Sequence, residues 1–296
     1  MSEPRDLAAF ERIRDHLQQQ RGFDFTPYKR ASLMRRTSAR MRSLRVEGFD
    51  AYLDHLQRHP DECERLFHTI LVNVTSFFRN RRTWESLRNC VLPHLLHARN
   101  GERLRIWSAG CASGEEAYSA AMLLADVLGA ANLRDRVEIY ATDVDQEALS
   151  AARRGVYACS DVEGAVPAGF MDRYFDRHGD VLVIRRDLHE AVTVFSHDLI
   201  RDAPIPRIDL LFCRNTLMYF TAEAQDATVA RFYEALFPAG FAVLGPTEMI
   251  FGPVTSFHAV DLHGRIFRAV GDARSHRRQP KRTWRLPGEL AAARES

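Results

Sequence analysis

Apolar positions change their spacing along this chain near residue 100. Up to about residue 72 they recur at helical intervals, with Gly22 and Gly48 punctuating short elements. Leu33, Thr37, Met41 and Leu44 stand at i, i+4, i+8 and i+11, one face of a helix. From Leu104 onward short β-branched and aromatic runs take over. Residues 103–109, 137–142, 192–195, 208–213 and 240–244 each have the length and composition of a buried strand. Helical stretches alternate with them, one from about Glu115 to Leu128 and another opening near Asp145. Strands of this kind separated by helices predict an α/β region built on a parallel sheet.

The same pattern sets the organisation. An N-terminal all-helical domain is expected over residues 1–76, a linker over 77–90, and a Rossmann-like domain over 91–270. Between the second and third core strands, residues 155–189 hold Gly164, Pro167, Gly169, Gly179 and the strand-like run Val181-Leu182-Val183-Ile184. That is too long for an ordinary connection and predicts a small inserted antiparallel β-subdomain at about 155–190, with a helix near 170–175. A last hairpin is expected around His263-Gly264. Residues 271–296 are arginine-rich, carry Pro280 and Pro287, and read as a flexible basic tail.

The first strand runs into Ser108-Ala109-Gly110-Cys111-Ala112-Ser113-Gly114-Glu115-Glu116, a glycine-punctuated turn and then the acidic first turn of a helix. Gly110 and Gly114 let the backbone turn sharply and a ligand approach it closely. The spacing is not that of a dinucleotide site, and Glu115 and Glu116 put negative charge where a pyrophosphate would sit. A partly cationic ligand without phosphate fits better, and S-adenosyl-L-methionine, with its sulfonium and ammonium, meets that description. Taken alone the turn fits a purely structural role equally well. Asp143 ends the second strand, where an acid accepts hydrogen bonds from ribose hydroxyls. It competes with a role as helix cap, which Asp145 suits better. Asp198-Leu199 follow the third strand, and Asp198 is placed to meet an adenine amino group. Asn215, after the fourth, offers both donor and acceptor, and fits a turn position as well.

Charge and cysteine content narrow the class. The 296 residues are 46% hydrophobic, enough for substantial cores, and the net charge of +2 says little about partners. Five scattered cysteines without a Cys-x-x-Cys pair, and no histidine cluster of ligand spacing, argue against zinc or a disulfide framework. Cys111 reads as a small packed residue rather than a reactive one. A charged start and the lack of a membrane-length apolar stretch predict a cytoplasmic protein. From Thr26 to Val46 stand Lys29, Arg30, Arg35, Arg36, Arg40, Arg42 and Arg45 without an acid. Thr26-Pro27 reads as the cap and first residue of that basic helix. Its cations suit an acidic protein surface, a solvated face or nucleic acid phosphates.

With these residues in view the chain resembles the CheR family of chemoreceptor glutamate methyltransferases from about Phe10 to Ala269. The blocks that carry the resemblance are Asn73-Val74-Thr75-Ser76-Phe77-Phe78-Arg79, Trp107 through Ser119, Ala141-Thr142-Asp143-Val144-Asp145, Arg154-Gly155-Val156-Tyr157, and Phe212-Cys213-Arg214-Asn215-Thr216-Leu217-Met218-Tyr219-Phe220. The resemblance implies S-adenosyl-L-methionine as cofactor and S-adenosyl-L-homocysteine as product. It implies methyl esters on receptor glutamates as the outcome. Asn73, Thr75 and Arg79 match family residues at the cofactor and reaction centre, so the linker contributes to the active site. Gly110, Glu116, Asp143, Asp198, Leu199, Arg214 and Asn215 match the cofactor contacts, and Tyr219 the tyrosine near the transferred methyl. Two stretches depart from the family pattern: Asp198 stands where many members have Asn, and Gly245-Pro246-Thr247-Glu248 replaces a Gly-x-Ser-Glu-like stretch.

A carboxylate acceptor needs no general base, because its ordinary pKa of about 4.3 leaves it ionised at neutral pH. Arg79 is expected to orient that carboxylate and Tyr219 to position it or touch the methyl group. Methyl-accepting chemotaxis receptors, reached through the basic helix, are the expected partners. A short Arg177-His178-Gly179-Asp180 turn speaks against binding of a receptor's C-terminal tether peptide. A cofactor-sensing module without catalysis, and methylation of another protein or RNA, are the competing readings. Retention of Arg79 and Tyr219 weighs against the first, and the lack of a base-stacking aromatic signature against nucleic acid.

Overall fold

The structure, a computed structural model, describes residues 4–248 and 257–270. The chain divides into two units. One runs to Val74 and takes in Thr216–Gln225 from much later in the sequence; the other holds Thr75–Asn215 and the chain from Asp226 onward.

The first unit is helical: α1 (Pro4–Arg21), α2 (Arg30–Leu44), α3 (Phe49–Arg58) and α4 (Pro60–Ile70). Pro60 opens α4 where its missing N–H costs nothing, and Asp61 and Glu62 complement the positive end of the helix. Ile13, Leu17, Leu33, Tyr52, Leu56 and Leu66 form the core, with Phe25 and Phe67 edge to face at 5.8 Å. The apolar face read from the sequence is real at Leu33, Thr37 and Met41. Its start is not. Residues 26–29 form a turn and bridge instead, and α2 opens at Arg30 after Lys29. The reason is non-local: Tyr28 pairs with Phe220 as an antiparallel bridge, Lys29 N donates to Tyr219 O and Thr221 N to Pro27 O, each at 2.8 Å. The late segment 216–225 is thus stitched to the backbone that would have begun the helix.

The second unit begins with residues expected to be a linker. They are largely helical and partly buried: α5 (Arg81–Ser86) passes through one π-helical turn at Leu87–Val91 into α6 (Leu92–Arg99), burying Trp84, Leu87 and Val91. Beyond them run β1 (Leu104–Ala109), α7 (Glu115–Leu128), α8 (Ala130–Arg136), β2 (Val137–Asp143) and α9 (Gln146–Arg154). After an insert come α12 (Arg186–Ala191), β6 (Val192–Ser196), β7 (Ile208–Cys213), α13 (Ala222–Ala235), whose first residues belong to the late segment of the other unit, β8 (Leu236–Leu244), β9 (Phe257–Asp261) and β10 (Ile266–Ala269). The insert holds β3 (Val156–Ala158), α10 (Cys159–Val162), α11 (Phe170–Tyr174), β4 (Phe175–His178) and β5 (Val181–Ile184). Its strands form the expected antiparallel sheet, in the order β3-β5-β4.

The main sheet has the order β6-β2-β1-β7-β8-β10-β9. The first five strands are parallel, and β10 is antiparallel to both neighbours. Ile106 of β1 faces Ile139 of β2 on one side and Leu210 of β7 on the other, and each of these side chains is at most 2% exposed. Such burial contributes roughly 1.5–3 kcal/mol per large apolar side chain, which is why these strands read as largely apolar runs after a charged second residue, Arg105, Glu138 or Asp209. From β1 the chain order proceeds outward in both directions, so the crevice at the carboxyl ends of β1 and β7 is the switch point at which such sheets take ligands. Among the described residues no helix is long and apolar enough to cross a membrane. The tail at 271–296 lies outside the described residues.

Candidate functional site

In the second unit the candidate residues gather on the carboxyl ends of β1, β2, β6 and β7. The turn after β1 is drawn onto β2 by its own backbone, Gly110 N and Cys111 N both donating to Thr142 O at 2.8 and 2.9 Å. Gly110, Ala112 and Gly114 have φ of +78°, +48° and +96°. At Gly114 a Cβ would also lie 2.9 Å from Cβ of Ala152 and 3.2 Å from Oη of Tyr157, so only glycine fits. Tyr157 of the insert locks the turn from outside, donating to Ser113 O at 2.7 Å. Cys111 is packed, and burial pushes its thiol well up, an effect that Asp143 and Glu116 add to. It is no nucleophile.

The two aspartates after β2 divide the work. Asp145 caps α9, its Oδ1 accepting from Glu147 N and Ala148 N at 2.9 and 3.3 Å. Asp143 accepts from Val144 N and Asp145 N on Oδ1 and from Ala112 N on Oδ2, at 2.7, 3.1 and 2.9 Å. Burial pushes its pKa up, and these backbone bonds oppose the rise. Three bonds leave carboxylate lone-pair capacity for a further donor.

Glu116, on the first turn of α7, accepts from Ser108 Oγ at 2.8 Å and faces Nη1 of Arg214 at 3.4 Å. Burial raises its pKa, while Arg214 and Ser108 pull it down. The other side of the Arg214 guanidinium holds the chain before α5: Nη2 donates to the carbonyl of Arg79 and to Oδ1 of Asn80, each at 2.9 Å. Thr75 opens this same segment.

Asp198 closes its own turn through one oxygen: Oδ1 accepts from Ile200 N and Arg201 N at 2.8 and 3.3 Å, and Leu199 is buried beside it. Asn215 is a turn residue by its φ of +63°, and its Oδ1 is buried without a hydrogen-bond partner among the described residues. Its N–H, like that of Gly245, donates to Oε2 of Glu248, at 2.9 and 2.6 Å. Asn80 carries no local signal in the sequence, whereas Ser108 and Glu248 fall in stretches that the family resemblance picks out. Asn73 and Tyr219 belong to the first unit. There Tyr219 lies in a 3₁₀ turn, Leu217–Tyr219, beneath the guanidinium of Arg36.

Two half-buried carboxylates, Asp143 and Glu116, and an unpartnered carboxamide oxygen form a set of acceptors, and Glu115 and Glu116 fill the helix N-terminus that a phosphate would need. The residues present fit an adenosyl ligand that brings hydroxyls, an amino group and positive charge. The class so defined is the S-adenosylmethionine-dependent methyltransferases. Residues 73–266 match the family model described as CheR methyltransferase, SAM binding domain, and residues 8–71 the one described as CheR methyltransferase, all-alpha domain. This chain belongs to the CheR methyltransferase family. It is 33% identical to a chemotaxis protein methyltransferase of Listeria monocytogenes, over 78% of this chain and 86% of that protein. With the chemotaxis protein methyltransferase of Escherichia coli it shares 33% identity over 81% and 84%. An uncharacterized 104.1 kDa protein of Rhodobacter capsulatus is 34% identical over 83% of this chain, which spans only 26% of that larger protein.

Proposed function

We propose that this chain transfers the methyl group of S-adenosyl-L-methionine to glutamate side-chain carboxylates of methyl-accepting chemotaxis receptors, in chemosensory adaptation. Membership of the family and the names of the Listeria and Escherichia relatives support the chemotaxis setting. The observation that carries the catalytic reading is the link from Glu116 through Arg214 to the backbone of Arg79. It ties an acid suited to the cofactor to the arginine suited to the acceptor.

When bound, the cofactor supplies an activated methyl on a sulfonium. Glu116, Asp143 and Asn215 would hold it, with Gly110 allowing close approach and Leu199 walling the adenine end. Asp198 would meet the adenine amino group. Asn73 and Thr75 precede Arg79 in the chain and match family residues at the cofactor and reaction centre. The acceptor carboxylate arrives ionised, so the protein has only to align it and exclude water, for which effective molarities of about 10⁵ M or more are attainable. Arg79 orients that carboxylate through charge-assisted hydrogen bonds, and Tyr219 sets its approach to the methyl group.

Receptor recognition falls to α2 and its flanks, but not to all seven basic residues of that stretch. Lys29 Nζ donates to Met218 O, Arg30 pairs with Glu11, Arg36 covers Tyr219 and Arg40 pairs with Glu62. Arg35, Arg42 and Arg45 are exposed and supply the charge for an acidic receptor helix. In the insert, β4 and β5 are joined through Gly179 and Asp180 alone, which supports the reading that no tether peptide docks there.

The test is incubation with methyl-labelled cofactor and receptor-bearing membranes of the source cell. Base-labile label on receptor glutamates is expected. Tight binding of S-adenosyl-L-homocysteine with no label on any receptor would overturn the reading in favour of a sensing module.

A further inference from the structure

Arg214 is matched to a cofactor ligand, yet the hydrogen bonds of its guanidinium run to the protein. Nη2 serves the carbonyl of Arg79 and Oδ1 of Asn80, and Nη1 faces Glu116. The Arg79 carbonyl accepts a second bond, from Nε1 of Trp84 at 3.0 Å, so both of its lone pairs are filled. Arg79 is flanked by two residues in the left-handed region, Phe78 at φ +47° and Asn80 at φ +62°. For a bulky residue such as Phe that region costs on the order of 1–2 kcal/mol. Phe78 is held there by its N–H on Ser119 Oγ at 2.9 Å and by edge-to-face contacts of its ring with Trp84 and Phe170, at 5.2 and 5.6 Å. A segment fixed at this many points keeps one posture. Asparagine suits the next position twice over, because it tolerates left-handed backbone and its short carboxamide reaches a neighbouring donor.

We propose that Asn80 is a positioning residue for methyl transfer. Through its carboxamide oxygen it seats the Arg214 guanidinium, which pins the main chain at Arg79 and joins that posture to Glu116 on the cofactor side. The inference rests on the assignment of Arg79 to the acceptor carboxylate. A planar fork is the right shape for this: one side spans Arg79 and Asn80 while the other reaches the carboxylate, and a lysine could not do both.

The test compares Asn80→Gly, Asn80→Ala and Asn80→Asp in the full chain. The readings are kcat and KM for receptor, affinity for S-adenosyl-L-homocysteine by calorimetry, and the rate of tryptic cleavage after Arg79 without acceptor. The Gly and Ala variants are each expected to lose about tenfold or more in kcat and to be cut several-fold faster, with cofactor-product affinity within about twofold of wild type. Asn80→Asp restores both readings, because a carboxylate accepts from Arg214 as well or better. Loss confined to Ala would mean that only the left-handed backbone matters. Equal loss in Gly, Ala and Asp, or a loss seen only in affinity, would likewise overturn the proposal, as would wild-type behaviour of Gly and Ala. If the wild type methylates no receptor, the functional reading fails by itself. Cleavage rates still judge Asn80: unchanged rates in Gly and Ala overturn its role, and faster rates repaired by Asp uphold it.

Discussion

The guanidinium of Arg36 lies over the ring of Tyr219, its Cζ 4.3 Å from the ring centroid, and it also donates to the carbonyl of Ile70. One side chain thereby joins α2, the end of α4 and the late segment 216–225. Burial lowers the pKa of Arg36, and Tyr219 counters the drop. Arg36→Ala is expected to lower unfolding stability by about 1–2 kcal/mol, from the stacking and the lost bond to a buried carbonyl. Arg36→Lys recovers less than half of it, since an ammonium does not stack as a plane. Urea unfolding checks both, and an unchanged midpoint in the alanine variant would show the contact to be energetically idle.

Glu62 is 3% exposed and accepts from Nε and Nη2 of Arg40 at 2.8 and 2.7 Å and from the Tyr52 hydroxyl at 2.8 Å. Burial pushes its pKa up, but the bonds from Arg40 and Tyr52 and the charge of Arg40 outweigh it, so the net shift is downward. A carboxyl depressed in the folded state contributes stability that is present above its unfolded pKa, about 4.3, and is lost as pH falls through the lower folded value. Stability of the wild type should therefore fall more steeply below about pH 4 than that of Glu62→Gln. Arg40→Ala, which leaves the buried anion unpaired, should cost about 3 kcal/mol at neutral pH. Equal acid slopes in wild type and Glu62→Gln would contradict the assignment.

Gly114→Ala meets two obstacles at once, a φ of +96° and a 2.9 Å approach to Ala152. It should cost about 2 kcal/mol or more and weaken binding of S-adenosyl-L-homocysteine at least about tenfold, because the whole turn must shift. Calorimetry finding wild-type affinity in a folded variant would remove the turn from the site.

Asp143 and Asp145 should separate cleanly. Asp145→Ala loses an N-cap, about 1 kcal/mol, with product affinity unchanged, whereas Asp143→Ala loses affinity. Burial raises the pKa of both Asp143 and Glu116, and their charged forms suit the cofactor. Affinity for S-adenosyl-L-homocysteine should thus decline as pH falls, beginning above the ordinary carboxylate range of about 4. A flat profile down to about pH 5 would count against the carboxylates as ligands.

Exposed Arg35 and Arg42 lie seven residues apart on one face of α2. Arg35→Glu/Arg42→Glu should raise KM for receptor about fivefold or more, with kcat little changed and a weaker salt dependence. An unaltered KM at low salt would free this face from any docking role.

Where sequence and structure agree, the signal is local. The turn from Gly110 to Gly114 and the acidic start of α7 could be read directly, since β1 is largely apolar and glycines stand at both ends of the turn. Asp145 was legible as a cap from its neighbours. What escaped is set by contacts between residues distant in sequence. Nothing around Thr26 reveals that Tyr28 will pair with Phe220, and that bridge displaces the start of α2 to Arg30. Residues 77–90 looked like a connection between the helical and sheet patterns, yet Trp84 and Leu87 within them are buried. Asn80 had no signature, for its importance comes from a guanidinium 134 residues away.

The helical unit is assembled from two stretches of the chain, the second being Thr216–Gln225. During synthesis its four helices therefore emerge long before Tyr219 and Phe220 exist, and must wait for the parallel strands to be translated before their last partners arrive. Maturation of that unit is a late, high-contact-order event, and a fragment ending at residue 74 would leave the ribosome without the aromatic pair that closes it.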